Sequence, residues 1–287
     1  LYFVLRINRR PQQRGFWKQQ RPMTAEAEWE PYAGKRKLYP NFHREISGDD
    51  IGAYFSFDAE EGEQIEVQIG VSFVSTANAR ENLHHEQPQG THFADVRTAA
   101  ERAWEESLSV VTVEGGTPDQ RTIFYTALYH TQIHPNILQD VNGEYPEMQT
   151  GITRRASGDR YTVFSLWDTY RCTHQLFTLL FPQRQQAMVR SMLDQYRETG
   201  WLPKWELYGQ ETLTMEGDPS LIVLNDTWQR GIRDFDVNLA YEAMLKGATT
   251  RGKDNLMRPD NDDYLSRGYV PLREKFDNSV SHALEYY

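Results

Sequence analysis

The sequence predicts a multidomain β plus α protein, with a sheet domain first and a helical domain after it. Residues 65–73 alternate apolar and polar side chains, which is the period of a β-strand with one buried face. After residue 90 the alternation ends, and apolar side chains recur at the spacing of amphipathic helices. We therefore expect a sandwich-like sheet followed by a set of paired helices.

The predicted sheet contains at least three strands. One is formed by the opening residues, one by residues 52–58 and one by residues 65–73. In the last of these the predicted buried face consists of Ile65, Val67, Ile69, Val71 and Phe73. Residues 10–50 are rich in Arg, Lys, Gln, Pro and Gly with weak periodicity, which predicts loops and one more hairpin.

The predicted helices come in pairs. They cover residues 92–110, a segment opened by Thr117–Asp119, then 167–180, 183–196, 218–231 and 234–246. Pro182 separates the third predicted helix from the fourth. Gly200 and Gly247 are predicted to end helices, and Asp218 with Pro219 is predicted to begin one. Paired helices with long connections at 135–161 and 201–217 suggest an α/α toroid or a solenoid with a binding surface at one end.

Composition excludes several classes of function. A formal net charge of -10 over 287 residues disfavours nucleic acid and anionic membranes as partners. No run of about 18 apolar residues is present, so membrane insertion is not expected. The single Cys172 rules out an internal disulfide. Leu1–Ile7 reads as the middle of a strand and Ser281–Tyr287 as the first turn of a helix, so we expect truncation at both ends.

Two segments suggest a carbohydrate site. Phe164–Arg171 places a carboxylate beside aromatic rings, and Gly200–Trp205 adds two indoles one helical hairpin later. Sugars offer apolar faces that stack on Trp and hydroxyls that bind strongly to charged acceptors.

Six motifs give these segments a family context. They are Ser72–Ser75 with Ala77–Ala79, Phe124–His130, Ser165–Arg171, Gly200–Trp205, Met215–Asp218 and Leu284–Tyr286. Their order and spacing resemble those of the glycoside hydrolase family 92 mannosidases. The resemblance implies an N-terminal β-sandwich joined to an (α/α)6 barrel, both incomplete here. It also implies calcium-dependent, inverting removal of terminal α-linked mannose from N-glycans or mannans, in the periplasm or outside the cell.

This resemblance also divides the chain. Residues 1–88 would form the β-sandwich domain, residues 89–116 a helical linker, and residues 117–287 the first part of the barrel. The partner would be a mannose-terminated oligosaccharide.

Five residues are predicted to contact or shape the substrate site. Asp168 matches the Asp that lies in the sugar pocket of the family, although a carboxylate here could instead cap a helix or pair with Arg171. Trp167 either stacks on the sugar or packs in the barrel lining, and Arg171 orients Asp168. Lys204 and Trp205 lie where the family builds the pocket rim, with core packing an equal alternative for Trp205.

The catalytic acid and base are expected beyond Tyr287, because the family motifs that carry them are absent from this sequence. Glu206, Glu211 and Glu216 share a loop with Trp205 and are the nearest substitutes, but Glu is common in solvated loops.

No metal site is expected in these 287 residues, and the calcium ligands of the complete protein should also lie elsewhere. His130, His134 and His174 match no zinc spacing, and Asp260–Asp263 reads as a solvated turn rather than a calcium loop.

Two alternatives remain. The chain could be a truncated carbohydrate-binding relative without acid and base. More distantly, it could belong to another α/α-barrel glycosidase whose acid is one of the three Glu residues above.

Overall fold

The computed structural model describes residues 1–19, 36–42 and 45–271. The described chain divides into two compact units, one formed by Leu5–Ile69 and one by Leu1–Val4 with the residues from Gly70 onward. β-Strands dominate the first part and helices the second, as the sequence predicted. None of the described helices is long and apolar enough to cross a membrane.

The smaller unit contains an antiparallel sheet of three strands. The strands are β2 (Gln13–Gln19), β3 (Arg36–Pro40) and β4 (Ile51–Ser56), in the order β3-β2-β4. Gly52 lies opposite Trp17, where a Cβ atom would come within 2.5 Å of the indole nitrogen. The predicted strand at 52–58 is thus confirmed as β4, and the predicted hairpin corresponds to β2 and β3.

β1 (Tyr2–Ile7) and β5 (Val67–Ser72) form a separate pair of strands. The predicted strand is present, but the predicted buried face is wrong. Val67, Ile69 and Val71 are 51%, 53% and 51% exposed.

Helix α1 (Thr76–Glu86) explains the reversal. Gly70 is buried, and a Cβ atom there would lie 2.2 Å from the Ala79 carbonyl oxygen and 2.6 Å from the Leu83 Cβ. The helix therefore packs on the face that carries Gly70 and Ser72, because the missing side chain permits the close approach. Helix α1 was missed in the sequence because its buried residues include two Asn beside Ala79 and Leu83.

Eight further helices follow in the described residues. They are α2 (Phe93–Leu108), α3 (Pro118–Thr131), α4 (Leu166–Thr169), α5 (Thr173–Leu180), α6 (Pro182–Thr199), α7 (Pro219–Gln229), α8 (Val237–Thr249) and α9 (Asn261–Arg267).

Two of the predicted helices and one predicted turn differ from the structure. The segment 167–180 is two helices, α4 and α5, rather than one. Gly247 lies inside α8 instead of ending it, and a Cβ atom there would lie 3.1 Å from an Asp218 carboxylate oxygen. Asp260–Asp263 is not a solvated turn, because Asp260 is the N-cap of α9 and the next residues form its first turn.

Short strand pairs order the two long connections. They are β6 (Asn136–Ile137) with β9 (Tyr161–Thr162), β7 (Glu144–Pro146) with β8 (Thr153–Arg155), and β10 (Phe164–Ser165) with β11 (Trp205–Leu207) and β12 (Gln210–Glu211).

The main hydrophobic core lies among α5, α6, α7 and α8. Its buried side chains include Phe177, Met192, Val223 and Ala240, and Phe164 from β10 belongs to the same cluster. Each large apolar side chain buried in this way contributes roughly 1.5–3 kcal/mol. The segment that precedes α4 is therefore anchored in the main hydrophobic core of the helical region.

A buried carboxylate connects β5 and α1 to the first long connection. Asp140 is 6% exposed and accepts hydrogen bonds from Ser72 Oγ at 2.7 Å, Asn78 Nδ2 at 2.9 Å and Asn82 Nδ2 at 2.7 Å. Asn82 Oδ1 in turn accepts from the Val141 N–H at 3.0 Å. These bonds satisfy polar groups that burial removes from water.

Replacing Asp140 by Ala should destabilise the protein by about 2–4 kcal/mol, because the side-chain donors of three residues would lose their acceptor in a buried site. Urea denaturation measures the free energy of unfolding. Asp254→Ala, at an exposed loop position, is the control and should cost less than about 0.5 kcal/mol. Equal effects of the two substitutions would contradict the role given to Asp140.

Candidate functional site

The two segments predicted to form a sugar site are adjacent in the structure. Strands β10 and β11 pair antiparallel, with Phe164 opposite Glu206 and Ser165 opposite Trp205. Residues that are 40 and 42 positions apart in the sequence are therefore held together by main-chain hydrogen bonds. Asp168 follows β10 directly, in the first turn of α4.

Asp168 is exposed, whereas the residues before it are anchored in the core. Phe164 and Leu166 are both 0% exposed. The Ser165 hydroxyl donates a hydrogen bond to the Asp168 carboxylate. This contact fixes the carboxylate from its own segment and leaves the group at the surface, where it can accept hydrogen bonds from a ligand.

Arg171 lies on aromatic rings. Its guanidinium carbon is 4.8 Å from the centroid of the Trp167 ring and 4.9 Å from that of Tyr170, and Nε donates to the Trp167 carbonyl oxygen at 3.2 Å. Cation–π contacts and this hydrogen bond thus hold the side chain against the half-buried Trp167. The Asp168 carboxylate itself accepts a hydrogen bond from Ser165, and the orientation of Asp168 by Arg171 stays a prediction.

Lys204 and Trp205 are held by the carboxylate of Glu211. It accepts the Lys204 N–H at 2.8 Å and the Trp205 N–H at 3.1 Å. Lys204 is 2% exposed, so it is a buried residue rather than an exposed part of a rim. Trp205 is half-buried, and its indole Nε1 is buried without a hydrogen-bond partner among the described residues.

Glu206 points into the protein. It is 0% exposed and accepts from Thr162 Oγ1 at 2.7 Å, the Val163 N–H at 3.1 Å and the Gly209 N–H at 2.5 Å. Burial raises the pKa of this carboxyl, and the three donors oppose that effect.

Both carboxylate oxygens of Glu206 accept hydrogen bonds from within the protein. The same holds for both oxygens of Glu211, whose Oε1 also accepts the Leu213 N–H at 2.8 Å. Every oxygen of these two carboxylates thus already accepts at least one hydrogen bond, and Glu216 is half-buried in the turn before α7.

His174 completes the packing beneath α4. Nε2 lies 2.9 Å from Thr169 Oγ1, and Nδ1 lies 2.9 Å from Gln185 Oε1. Burial lowers the pKa of this imidazole to about 4, so the ring is neutral at pH 7.

His134 contacts a different residue, Asn136, with 2.8 Å between Nδ1 of the histidine and Oδ1 of the asparagine. Within residues 1–19, 36–42 and 45–271, no three His, Cys, Asp or Glu side chains form a group that could hold a metal ion.

Strained main chain surrounds the two segments. Val163 has φ of 64°, Tyr208 50°, Leu213 55° and Met215 64°. Residues other than Gly adopt this left-handed region at a cost of about 1–3 kcal/mol, and they persist where surrounding contacts over-determine the backbone. Sequence pattern does not predict this strain, because none of these residues favours the conformation.

The family of the chain is decided by its sequence match. Residues 78–287 match the glycosyl hydrolase family 92 catalytic domain. The chain belongs to glycoside hydrolase family 92. The resemblance inferred from the six motifs is therefore confirmed.

Solved structures of the family share this architecture. An inverting family GH92 mannosidase from Bacteroides thetaiotaomicron VPI-5482 superposes with a TM-score of 0.81 at 26% identity. The match covers 95% of this chain and 35% of the mannosidase chain. A family GH92 α-mannosidase from Bacteroides thetaiotaomicron, in complex with mannoimidazole, has a TM-score of 0.81 at 32% identity, and the match covers 99% of this chain and 35% of that α-mannosidase chain.

A curated relative is similar over most of the chain. An uncharacterized secreted glycosidase of Arthroderma benhamiae is 29% identical over 257 residues, which are 82% of this chain and 28% of the relative. The chain thus spans roughly a third of the length of these relatives.

The buried His174 should make stability depend on pH. The folded-state pKa of about 4 lies below the ordinary value of 6.5, so the unfolded state binds more protons between these values. His174 therefore contributes stability that is fully present above pH 6.5 and is lost as the pH falls toward 4, by up to roughly 1.4 kcal/mol per pH unit.

Urea denaturation of the protein and of His174→Gln between pH 4 and 7.5 measures this contribution. The slope of the free energy of unfolding against pH gives the number of protons taken up on unfolding, and this number should be smaller by about one in the variant. Identical pH dependence in the two proteins would contradict the assignment.

Proposed function

We propose that the complete protein is an exo-acting α-mannosidase that hydrolyses terminal α-linked mannose from N-glycans or mannans with inversion. Family membership supports glycoside hydrolysis. Two similar structures are mannosidases, one described as inverting and one bound to mannoimidazole. The secreted relative supports a periplasmic or extracellular location.

One observation carries this proposal: the pairing of Ser165 with Trp205, because it joins the segment of Trp167 and the exposed Asp168 to the segment of Trp205. Asp168 would accept hydrogen bonds from mannose hydroxyls, since an ionised carboxylate forms charge-assisted bonds with O–H donors. Trp167 and Trp205 would supply aromatic surface against the apolar face of the sugar. Arg171 would stiffen the Trp167 ring, and Lys204 would support the segment from within.

The residues that break the glycosidic bond are proposed to lie in the remainder of the complete protein. Inversion needs two carboxyl groups roughly 6.5–9.5 Å apart, one as acid and one as base for water. Glu206 and Glu211 are occupied by main-chain donors. The described residues contain no group of three His, Cys, Asp or Glu side chains that could hold a metal ion, and the calcium ligands are proposed to lie elsewhere in the complete protein.

The domain architecture is part of the same proposal. Residues 1–88 would belong to a β-sandwich, residues 89–116 to a helical linker and residues 117–287 to an (α/α)6 barrel that the complete protein closes. The strands of the first part, the helices of the second and the similarity to the family structures support this assignment.

Asp168→Asn should lower kcat/KM of the complete protein on an α-mannoside by about 10- to 100-fold, because a strong charge-assisted hydrogen bond would be weakened. Steady-state kinetics with α-linked mannobioses measures this effect. Asp234→Asn is the matched control. Asp234 is exposed, lies in another loop between α7 and α8, and pairs with Arg190 at 2.9 Å. Unchanged kinetics in Asp168→Asn would remove the residue from the site.

The complete protein should hydrolyse at least one of the 1,2-, 1,3-, 1,4- and 1,6-linked α-mannobioses. A chelator should abolish this turnover and added calcium should restore it, as the calcium dependence of the family implies. Turnover that persists in chelator would contradict the proposed calcium requirement. Binding of mannoimidazole without turnover of any mannobiose, with calcium present, would instead identify a non-catalytic carbohydrate-binding relative.

A further inference from the structure

We propose that Glu206 is a positioning residue, which holds the Asp168 carboxylate in its ligand-binding place through the main chain at Val163. The inference rests on the proposed role of Asp168 in binding mannose. It assigns to Glu206 neither contact with the substrate nor transfer of a proton.

The first step is the commitment of Glu206 to one segment. Two of its three donors, the Thr162 hydroxyl and the Val163 N–H, come from the residues that lead into β10. The third is the Gly209 N–H in the turn after β11. Thr162 Oγ1 also accepts the Tyr208 N–H at 2.9 Å, so the turn is attached to the same point twice. A single buried side chain thus joins the residues that lead into β10 to the turn after β11.

The second step is the conformation of Val163. This β-branched residue has φ of 64°, which is a genuine outlier for such a side chain, and it is 8% exposed. Its N–H bond to Glu206 is made in this conformation. Because strained residues persist only where surrounding contacts fix them, the Glu206 carboxylate is a direct constraint on the strained peptide.

The third step runs from Val163 to Asp168. Phe164 is buried in the core, Ser165 pairs with Trp205, and the Ser165 hydroxyl reaches the Asp168 carboxylate. The residues between Val163 and Asp168 are therefore each held in place. Phe164 is held by the core, Ser165 by its strand partner, and the next two residues belong to helix α4. A rotation at Val163 would move Ser165, and with it the group that orients Asp168.

The test compares Glu206→Gln with Asp140→Asn in the complete protein. Asp140 is the matched control, because it is also a buried carboxylate with three donors, which here are all side chains and lie in β5 and α1. In Glu206→Gln an amide N–H must face one of the donors. Both variants should lower the melting temperature. Only Glu206→Gln should raise the Kd for mannoimidazole, by about tenfold, measured by titration calorimetry on folded protein.

A second variant separates positioning from general stability. Gly adopts φ of 64° without the cost of a Cβ atom, so Glu206→Gln with Val163→Gly should recover part of the lost affinity. The same double variant should melt lower than Glu206→Gln alone, because it also removes a buried side chain. Affinity and stability would then change in opposite directions, which a purely structural role of Glu206 does not predict.

Thr162→Val supplies a milder perturbation if Glu206→Gln does not fold. It removes one donor to Glu206 and should raise the Kd for mannoimidazole in the same direction, by a smaller factor. Unchanged affinity in Thr162→Val, or equal affinity of folded Glu206→Gln and Asp140→Asn, would overturn the inference. Unchanged affinity in Asp168→Asn would instead refute the proposed sugar contact, so the two failures are distinguishable.

Discussion

Carboxylates that accept hydrogen bonds from the main chain organise the loops of the larger unit. A loop that enters a protein interior brings main-chain N–H groups that must find acceptors. Here Glu206 accepts main-chain donors from just before β10 and just after β11, and Glu211 accepts donors from the segment of Trp205. Glu198 accepts the Met148 N–H while pairing with the buried Arg160 at 2.9 Å. The helices supply the core, but these side chains determine where the connections run.

Much of the fold follows from sequence pattern. Helices α6 and α7 were predicted close to their observed bounds, because a proline at the first turn and a glycine beyond the last residue give clear signals. Helix α1 and the buried face of β5 were not predicted correctly. In both cases the decisive contact is long-range, since Gly70 admits a helix to what reads as the polar face.

The candidate site was predictable in part. Residue type and order were enough to bring Trp167, Asp168 and Trp205 together in one hypothesis, and the pairing of β10 with β11 confirms that their segments meet. Orientation was not predictable. The contacts of Arg171 with rings and the burial of Lys204 depend on side-chain packing that no local pattern encodes. The role proposed for Glu206 was hidden because an acidic residue in a loop usually reads as solvated.

Cys172 gives this arrangement a chemical handle. It is the single cysteine of the chain, it is exposed, and it lies directly after Arg171 at the N-cap of α5. A thiol-reactive fluorophore attached there would report from beside the stacked Trp167 and Arg171 side chains. Small rearrangements of the segment that carries Asp168 would thereby become visible as a change in emission, without any alteration of the residues that form the site.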